Sequence, residues 1–342
     1  MTDKQWDTVV RVVRGESVEP MPTGFIIDCP WLPAWHGCRM IDYFSSDQHW
    51  LAANMNAVRT FPDTIFLPGF WAEYGMCTEP SAFGARCSFP EDAFPHAAPM
   101  LTDLGQIDAL RVPDPRTDGL LPFVMNRLRL GCPEIERAGH RIRFAIARGP
   151  LNIASHLLGM TPFLTAMAEH PEAVHRLLVK ITTFLSDWLE LQRTAFPSID
   201  GIFLLDDVLG FIGDGMFREF GLPYFRTLFT SDVTVRFLHN DAPCRVSARY
   251  LEQMNVNLFN MGFDVSLGEL RGLAGENVTF LGNIPPRDVL AAGTPDDVRR
   301  AVAGVKASTS SRTRTILSCG GGMPPGVSTE NIRAFIRAAH DE

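Results

Sequence analysis

Eight short apolar runs recur along the chain, and most are separated by stretches with helical periodicity. This alternation favours a parallel sheet, because parallel strands are joined by crossovers that are usually helices. Eight repeats in 342 residues indicate a closed barrel rather than an open sheet. The predicted fold is therefore α/β, a single (β/α)8 TIM barrel. Its predicted strands are 24–28, 64–67, 143–147, 201–206, 234–239, 256–260, 278–282 and 314–318.

The barrel is expected to carry an N-terminal extension and long loops over its carboxyl-terminal face. Residues 1–23 predict a helix and a turn, since Trp6, Val9 and Val13 share one helical face. Residues from about 80 to 120 are rich in Pro, Ala and Gly with little periodicity, which predicts a loop insertion over the strand ends. We expect residues 1–342 to form one domain.

Charge and cysteine usage limit the partners and the compartment. The net charge of −8 argues against nucleic acid or an anionic membrane as the main partner. The sequence shows no apolar run of 18 residues and no apolar segment near its start, so we expect no membrane span. Seven scattered cysteines without a CxxC pair do not suggest a disulfide framework. A cytoplasmic protein is expected.

Three predicted strands end in side chains that can bind a metal or move a proton. Ligands bind at the carboxyl ends of parallel strands, so convergence of these ends would create a site. The groups concerned are Asp206 and Asp207, then His239, Asn240 and Asp241, and finally Cys319 followed by Gly320, Gly321 and Gly322.

His239 and Asp241 are the leading catalytic candidates. Their side chains point the same way if the strand is still extended at this point, so they can supply two metal ligands or bind two polar groups of a substrate. A structural hydrogen bond is the alternative for His239. Period-two alternation lets only one of Asp206 and Asp207 point inward, and capping of the following helix is the alternative for the other. We assign Asp206 a catalytic, orienting role, and we expect Asp207 and Asn240 to contact the substrate.

The three glycines after Cys319 are a candidate cofactor-binding loop. Glycine permits unusual backbone angles and close approach to a ligand, and the N–H groups of Gly320, Gly321 and Gly322 can face an anion. The alternative is a plain tight turn. Cys319 is either a metal ligand or an inert buried thiol.

Aromatic side chains near other strand ends are candidates for the pocket wall. Trp31 and Trp35 lie beside prolines, and Phe70 and Trp71 precede Glu73, a candidate catalytic base or metal ligand. A surface clamp is the alternative for the two tryptophans, and a solvated side chain for Glu73. No GxGxxG, GxxxxGK[ST], HExxH or GxSxG motif stands out, which weakens nucleotide-binding, zinc-protease and serine-hydrolase interpretations.

Several motifs make the chain resemble the uroporphyrinogen decarboxylase superfamily over nearly its whole length. The most specific is Leu281-Gly282-Asn283-Ile284-Pro285-Pro286 with Gly293-Thr294-Pro295. Others are Arg14-Gly15-Glu16, Gly149-Pro150 with Leu158-Gly159, Ile199-Asp200-Gly201, and Cys319-Gly320 leading to Pro324-Pro325. The resemblance implies a (β/α)8 barrel, in agreement with the strand count.

The superfamily has two main branches, and the resemblance favours the second. True decarboxylases carry an Arg-Gln-Ala-Gly-Arg-Tyr loop that grips the carboxylates of a tetrapyrrole. The equivalent place here reads Phe25-Ile26-Ile27-Asp28-Cys29-Pro30-Trp31, without arginine. The second branch contains corrinoid-dependent methyltransferases, whose thiol-activating members hold zinc through His-x-Cys and a distant Cys.

His239 and Cys319 match that zinc pattern, whereas Asp241 replaces the first cysteine. The resemblance therefore implies zinc held by His239, Asp241 and Cys319, or by a set that includes Glu73, or a metal-free acid–base site. The stretch 68–76 is similar to an O-demethylase-type subgroup whose substrates are methoxylated aromatics.

The expected function is methyl transfer from a small O-methyl substrate to the cobalt of a corrinoid carried by a partner protein. The alternatives are a carboxy-lyase acting on a tetrapyrrole or a smaller substrate, and a non-catalytic ligand-binding barrel. Since superfamily members are often dimers, the resemblance also implies a possible homodimer.

Overall fold

The computed structural model describes residues 1–27, 30–309 and 313–341. The strands are β1 (Gly24–Ile26), β2 (Ile65–Leu67), β3 (Cys87–Ser88), β4 (His96–Ala97), β5 (Phe144–Arg148), β6 (Gly201–Leu205), β7 (Val235–Asn240), β8 (Leu258–Met261), β9 (Thr279–Ile284) and β10 (Thr315–Cys319). The helices are α1 (Asp3–Val13), α2 (Trp31–His36), α3 (Met40–Ser45), α4 (Asp47–Thr60), α5 (Thr78–Ala82), α6 (Gln106–Ala109), α7 (Leu121–Arg137), α8 (Pro150–Leu158), α9 (Met160–Glu169), α10 (Pro171–Ala195), α11 (Asp214–Met216), α12 (Leu222–Leu228), α13 (Arg245–Ala248), α14 (Leu267–Ala274), α15 (Pro295–Ser308) and α16 (Thr329–His340). A 3₁₀ turn spans Asp207–Phe211, and π-helical turns span Phe217–Gly221 and Pro286–Ala291.

Two parallel sheets together supply the eight barrel strands. The larger sheet has six strands in the order β10-β9-β8-β7-β6-β5, and β1 pairs with β2 in the smaller one. The smaller sheet joins the larger beside β10, where the Leu317 N–H donates to the Pro22 carbonyl at 2.9 Å. Each predicted strand is present, with boundaries within two residues of the prediction. The predicted α/β barrel is thus confirmed, although Asp28, the predicted end of the first strand, lies outside the described residues.

Side chains that face the barrel axis form one apolar core. They come from all eight barrel strands and include Ile26, Ile65, Leu67, Phe144, Phe203, Val235, Phe237, Leu258, Leu281 and Ile316. Helix α1 adds Trp6, Val9, Val12 and Val13 to the same core, and the Trp6 ring lies edge-on to Phe144 at 5.4 Å between centroids. The amino-terminal extension therefore plugs one end of the barrel and leaves the carboxyl ends of the strands for polar groups.

Side chains replace strand pairing at the seam between β2 and β5. In the described part of the chain these two strands form no ladder. The side chain of Gln192 accepts from the Ile146 N–H at 2.9 Å and donates to the Ile146 carbonyl at 3.0 Å. Glu79 accepts from the Arg148 N–H at 3.1 Å. Helices α10 and α5 thus satisfy the free edge of β5.

The segment predicted as a loop insertion contains more regular structure than its composition suggested. An antiparallel pair, β3–β4, sets Cys87 opposite Ala97, and the short helix α6 follows. Between β3 and β4, Phe94 contributes to the wall of the barrel-mouth pocket. The expected position of this segment over the strand ends is therefore confirmed in part.

Two features bear on the expectations of no disulfide framework and no membrane span. None of the six cysteines in residues 1–27, 30–309 and 313–341 forms a disulfide bond with another of them. Cys29, the seventh, lies outside those residues. None of the helices in the same residues combines the length and the apolar character needed to cross a membrane.

Candidate active site

A cavity of about 320 Å³ opens at the carboxyl ends of the barrel strands. This is the end at which TIM-barrel enzymes bind their ligands. Its wall comes from segments near the ends of seven barrel strands and from the β3–β4 loop. The lining residues are Pro30, Trp71, Glu73, Met76, Phe94, Arg148, Asn152, Leu205, Asp207, His239, Asp241, Pro286, Arg287, Gly322, Met323, Pro324 and Pro325.

Asp207, His239 and Asp241 converge in this cavity. His239 Nε2 lies 3.8 Å from Asp207 Oδ1 and 4.0 Å from Asp241 Oδ2, and all three ligand atoms lie within 4.8 Å of one another. The pair His239 and Asp241 comes from one strand end, as expected from period-two alternation. The Asp241 N–H donates to Asp207 Oδ1 at 3.0 Å, which joins the loops after β6 and β7.

A buried asparagine orients the His239 ring. His239 Nδ1 lies 2.7 Å from Asn260 Oδ1, and Asn260 Nδ2 donates to the Leu281 carbonyl at 2.7 Å. Because the amide nitrogen is engaged by that carbonyl, the network assigns the His239 proton to Nδ1. Nε2 is the ring nitrogen that faces the two carboxylates. The sequence analysis missed Asn260, although a polar residue within the apolar run 256–260 was an available signal.

The two carboxylates of this group disfavour each other's charge. Partial burial raises the pKa of Asp207; His239 opposes the rise, and the nearby Asp241 carboxylate adds to it. A bound cation would relieve this repulsion. One imidazole nitrogen and two carboxylates are also an accepted donor set for a divalent metal.

A second acidic cluster lies in the pocket wall. Arg148 donates to Glu73 Oε2 at 2.7 Å and to Glu79 Oε2 at 3.2 Å, and all three residues are buried. Burial raises the pKa of Glu73; Arg148 opposes the rise, and Glu79 adds to it. One guanidinium therefore serves two carboxylates, and Glu73 is the one that faces the pocket. Glu73 lies outside the three-residue group that is arranged for a metal.

The glycine loop has a different role from the one predicted. The Gly320 N–H donates to the Ile284 carbonyl at 2.9 Å and the Gly321 N–H to the Met261 carbonyl at 2.8 Å, so neither is available to an anion. Gly321 has a φ of +73°, and a Cβ there would lie 2.8 Å from Asp241 Oδ2. The cofactor-binding prediction is thus wrong for Gly320 and Gly321, which allow close packing around Asp241. Gly322 does line the pocket.

The structure places the Asp206 carboxylate at the start of α8 and not in the cavity. Its buried carboxylate accepts from the N–H groups of Leu151 and Asn152, each at 3.0 Å, and of Val208 at 3.2 Å. Burial raises the pKa of Asp206 to about 8, although these N–H donors favour the ionised form. Asp206 therefore caps the first turn of α8 and does not line the pocket.

Asn240 is also turned away from the cavity, which corrects its assignment as a substrate contact. Its Nδ2 donates to Ser247 Oγ at 3.2 Å, and its Oδ1 accepts from the Ala242 N–H at 3.1 Å. These bonds shape the loop after β7.

Of the four predicted aromatic wall residues, only Trp71 lines the pocket. Trp31 is buried, donates to the Val327 carbonyl at 3.1 Å and stacks on Trp35 at 5.1 Å. Trp35 donates to Thr329 Oγ1 at 3.0 Å. Phe70 packs against Trp50 in the core. The predicted substrate contacts of Trp31, Trp35 and Phe70 are therefore wrong, because these rings join α2 and the β2 loop to the rest of the barrel.

Cys319 does not take part in the metal-ligand group. Its side chain is fully buried in the apolar core, and Sγ lies 3.6 Å from the Gly321 carbonyl oxygen. Within the described residues, the group arranged for a metal consists of Asp207, His239 and Asp241. Asp207 thus stands where Cys319 had been predicted.

An eight-stranded parallel barrel with a polar, histidine-containing cavity at its carboxyl end defines a TIM-barrel protein of the enzyme type. The chain belongs to the uroporphyrinogen decarboxylase (URO-D) family, whose model matches residues 4–342.

Similar proteins carry two kinds of name. The uroporphyrinogen decarboxylase of Dichelobacter nodosus is 25% identical, covering 98% of this chain and 97% of that protein. That of Pseudomonas syringae pv. syringae is 27% identical over 78% of this chain and 76% of its own length. Among solved structures, a methyltransferase from Methanosarcina mazei has a TM-score of 0.82 at 16% identity and covers 97% of both chains. The chain thus shares its family with uroporphyrinogen decarboxylases and its fold with a methyltransferase.

Proposed function

We propose that this protein is a corrinoid-dependent methyltransferase. It would transfer a methyl group from a small O-methyl substrate, a methoxylated aromatic, to the cobalt of a corrinoid held by a partner protein. The observation that carries the proposal is the Asp207–His239–Asp241 group inside a small, partly aromatic cavity. The similarity of the fold to a methyltransferase from Methanosarcina mazei supports it.

The proposed reaction needs help at its leaving group. Transfer of the methyl group to the corrinoid would break the C–O bond of the methyl ether, and the oxygen would keep the bonding electron pair. An alkoxide or phenoxide leaves poorly unless its charge is neutralised by a cation or a proton. The cavity provides residues for both means.

Asp207, His239 and Asp241 would hold a divalent metal ion such as zinc. They fit one, since Asn260 engages His239 Nδ1 and leaves Nε2 as the ring nitrogen that faces the carboxylates, and a cation would remove the repulsion between the carboxylates. When bound, the metal would supply Lewis-acid stabilisation of the leaving oxygen.

Glu73 would supply the proton. Burial and the nearby Glu79 raise the pKa of its carboxyl group, against the opposing effect of Arg148, and Glu73 lines the cavity. The Trp71 and Phe94 side chains in the same wall offer apolar surface to an aromatic ring. Trp71 would thus bind the aromatic ring of the substrate. His239 would help to stabilise the charge on the leaving oxygen, and Glu73 would protonate it.

The charges in the cavity disfavour a tetrapyrrole substrate. Asp207, Asp241 and Glu73 line it, and Arg148 is already paired with two glutamates. A polycarboxylate would meet these acidic groups in a cavity of about 320 Å³, where Arg287 is the one lining arginine not paired with a glutamate among the described residues. This observation supports methyl transfer over porphyrinogen decarboxylation.

Metal analysis and a methylation assay test the proposal together. The purified protein is analysed for bound metal and then incubated with cob(I)alamin and a panel of methoxylated aromatics, while methylcobalamin is followed by absorbance. We expect bound metal and methylation, and loss of both in His239→Ala. Asn257→Ala is the matched control, because Asn257 bridges Arg236 and Thr234 at the opposite end of the barrel. It should keep both properties.

Three results would count against the proposal. A metal-free wild-type protein that methylates no cob(I)alamin with any donor would contradict it. Release of carbon dioxide from uroporphyrinogen, lost in His239→Ala, would establish the decarboxylase alternative instead. Tight binding of a donor without turnover would favour a ligand-binding barrel.

A further inference from the structure

Two arginines line the cavity, and they differ in whether their charge is paired with carboxylates. Arg148 is buried between Glu73 and Glu79, which offset its charge. Arg287 also lines the cavity but is exposed, and its guanidinium forms no ion pair or side-chain hydrogen bond within the described residues. Arg287 is therefore the cavity arginine whose charge is available to a ligand.

The backbone that carries Arg287 is held in place. Arg287 follows Pro285 and Pro286 at the end of β9, and the Ala292 N–H donates to its carbonyl at 2.9 Å. The buried Asn331 side chain donates to the Leu290 carbonyl at 2.9 Å and to the Gly293 carbonyl at 2.8 Å. The bonds from Asn331 thus hold the backbone of this turn. Because the backbone that carries Arg287 is already ordered, the entropic cost of binding through its side chain is lower.

The charges around the cavity would orient an anionic ligand. Acidic groups come from the ends of β2, β6 and β7, whereas Arg287 comes from the end of β9. Three strands separate β9 from β5, which carries Arg148. A carboxylate would be repelled by Asp207 and Asp241 and attracted to Arg287. Its opposite end would then point toward His239 and the acidic groups.

We propose that Arg287 anchors a carboxylate of the methyl donor, and that the donor is an anionic methoxylated aromatic. This inference rests on the proposed methyltransferase function and narrows its substrate class. A planar guanidinium can grip a carboxylate with two parallel hydrogen bonds, which a lysine ammonium cannot reproduce. The aromatic ring would lie against Trp71 and Phe94, with its methoxy group toward His239.

Binding measurements test the anchor without any methyl transfer. Calorimetry compares 4-methoxybenzoate with the neutral 4-methoxybenzyl alcohol in the wild type, Arg287→Gln and Arg287→Lys. We expect Arg287→Gln to weaken carboxylate binding by on the order of 10-fold or more, without changing the affinity for the alcohol. Arg287→Lys should recover part of the loss. Arg299→Gln is the matched control, since Arg299 pairs with Asp296 on the surface of α15.

The anchor is rejected if the wild type binds neither probe, if it binds the alcohol as tightly as the carboxylate, or if Arg287→Gln affects both probes equally. These failures differ from failure of the proposed function. Methylation of cob(I)alamin by neutral donors, unaffected in Arg287→Gln, would reject the anchor and keep the methyltransferase. Charge-selective binding through Arg287 without any methylation would keep the anchor and reject the methyltransferase.

Discussion

At the scale of single residues, the neighbours Asp206 and Asp207 have different environments: the first bonds to the backbone and the second faces the cavity. Asp206 accepts three backbone N–H bonds at the start of α8 and of the 3₁₀ turn. Asp207 lines the cavity beside His239. The alternation of side chains at a strand end forces the two apart, so only one of them can reach a ligand.

Substitution of Asp206 should therefore lower stability, whereas substitution of Asp207 should weaken metal binding. We expect Asp206→Ala to lower the free energy of unfolding by roughly 2 kcal/mol or more, because buried N–H groups lose their acceptor. Asp207→Ala should change stability by less than about 1 kcal/mol, since it also removes carboxylate repulsion, but it should weaken metal binding. Urea unfolding and competition with a chelator measure the two effects. Equal stabilities of the two variants would contradict the division.

The sequence could predict the pair His239 and Asp241, because both lie on one strand and their relation is local. It could not choose between Asp206 and Asp207, because the phase of the strand end depends on packing. Trp31 and Trp35 were misjudged since their partners, Val327 and Thr329, lie 296 and 294 residues away in the chain. A short motif gives no information about partners that are so distant in the chain.

At the scale of elements, the barrel strands were predictable because each is a short, largely apolar run and most of its residues are buried. The closure of the barrel was not. Gln192 lies in the apolar stripe of α10, where it appears in sequence as an ordinary polar residue, yet it satisfies both backbone groups of Ile146. That role depends on the position of α10 against the edge of β5.

Gln192→Met tests the closure of the barrel at this edge. The substitution roughly keeps the volume but removes both hydrogen bonds, which leaves the N–H and the carbonyl of Ile146 buried without partners. We expect the free energy of unfolding to fall by about 2–4 kcal/mol, measured in urea. Glu190→Met on the exposed face of α10 is the matched control and should change stability by less than about 0.5 kcal/mol. Similar losses in both variants would show that the bonds to Ile146 are not what closes the seam.

At the scale of the whole molecule, the two ends of the barrel have different tasks. Helix α1 closes the amino end with Trp6 and Val9, whereas Asp207, His239 and Asp241 lie together at the carboxyl end. The fold class was predictable at this scale because eightfold repetition is a property of the entire chain. The acid stability of the molecule, by contrast, depends on a buried group that no motif indicated.

That group is His140, which is 8% exposed and packs edge-on against Phe70 at 5.7 Å. Its Nδ1 is buried without a hydrogen-bond partner in the described residues. Burial, with a smaller effect of the Met1 ammonium, lowers the pKa of His140 from 6.5 to about 4. The unfolded chain therefore binds this proton more tightly than the folded chain. The stability that neutral His140 contributes is complete above pH 6.5 and is lost as the pH falls toward 4.

His140→Phe should make the free energy of unfolding fall less steeply between pH 6.5 and 4. The wild type has one more proton to bind on unfolding in this range, which corresponds to at most about 1.4 kcal/mol per pH unit. Urea unfolding at several pH values measures the two slopes. His49→Phe, at an exposed position, is the matched control and should keep the wild-type slope. If the slopes of His140→Phe and the wild type coincide, the His140 ring is protonated as readily in the folded chain as in water.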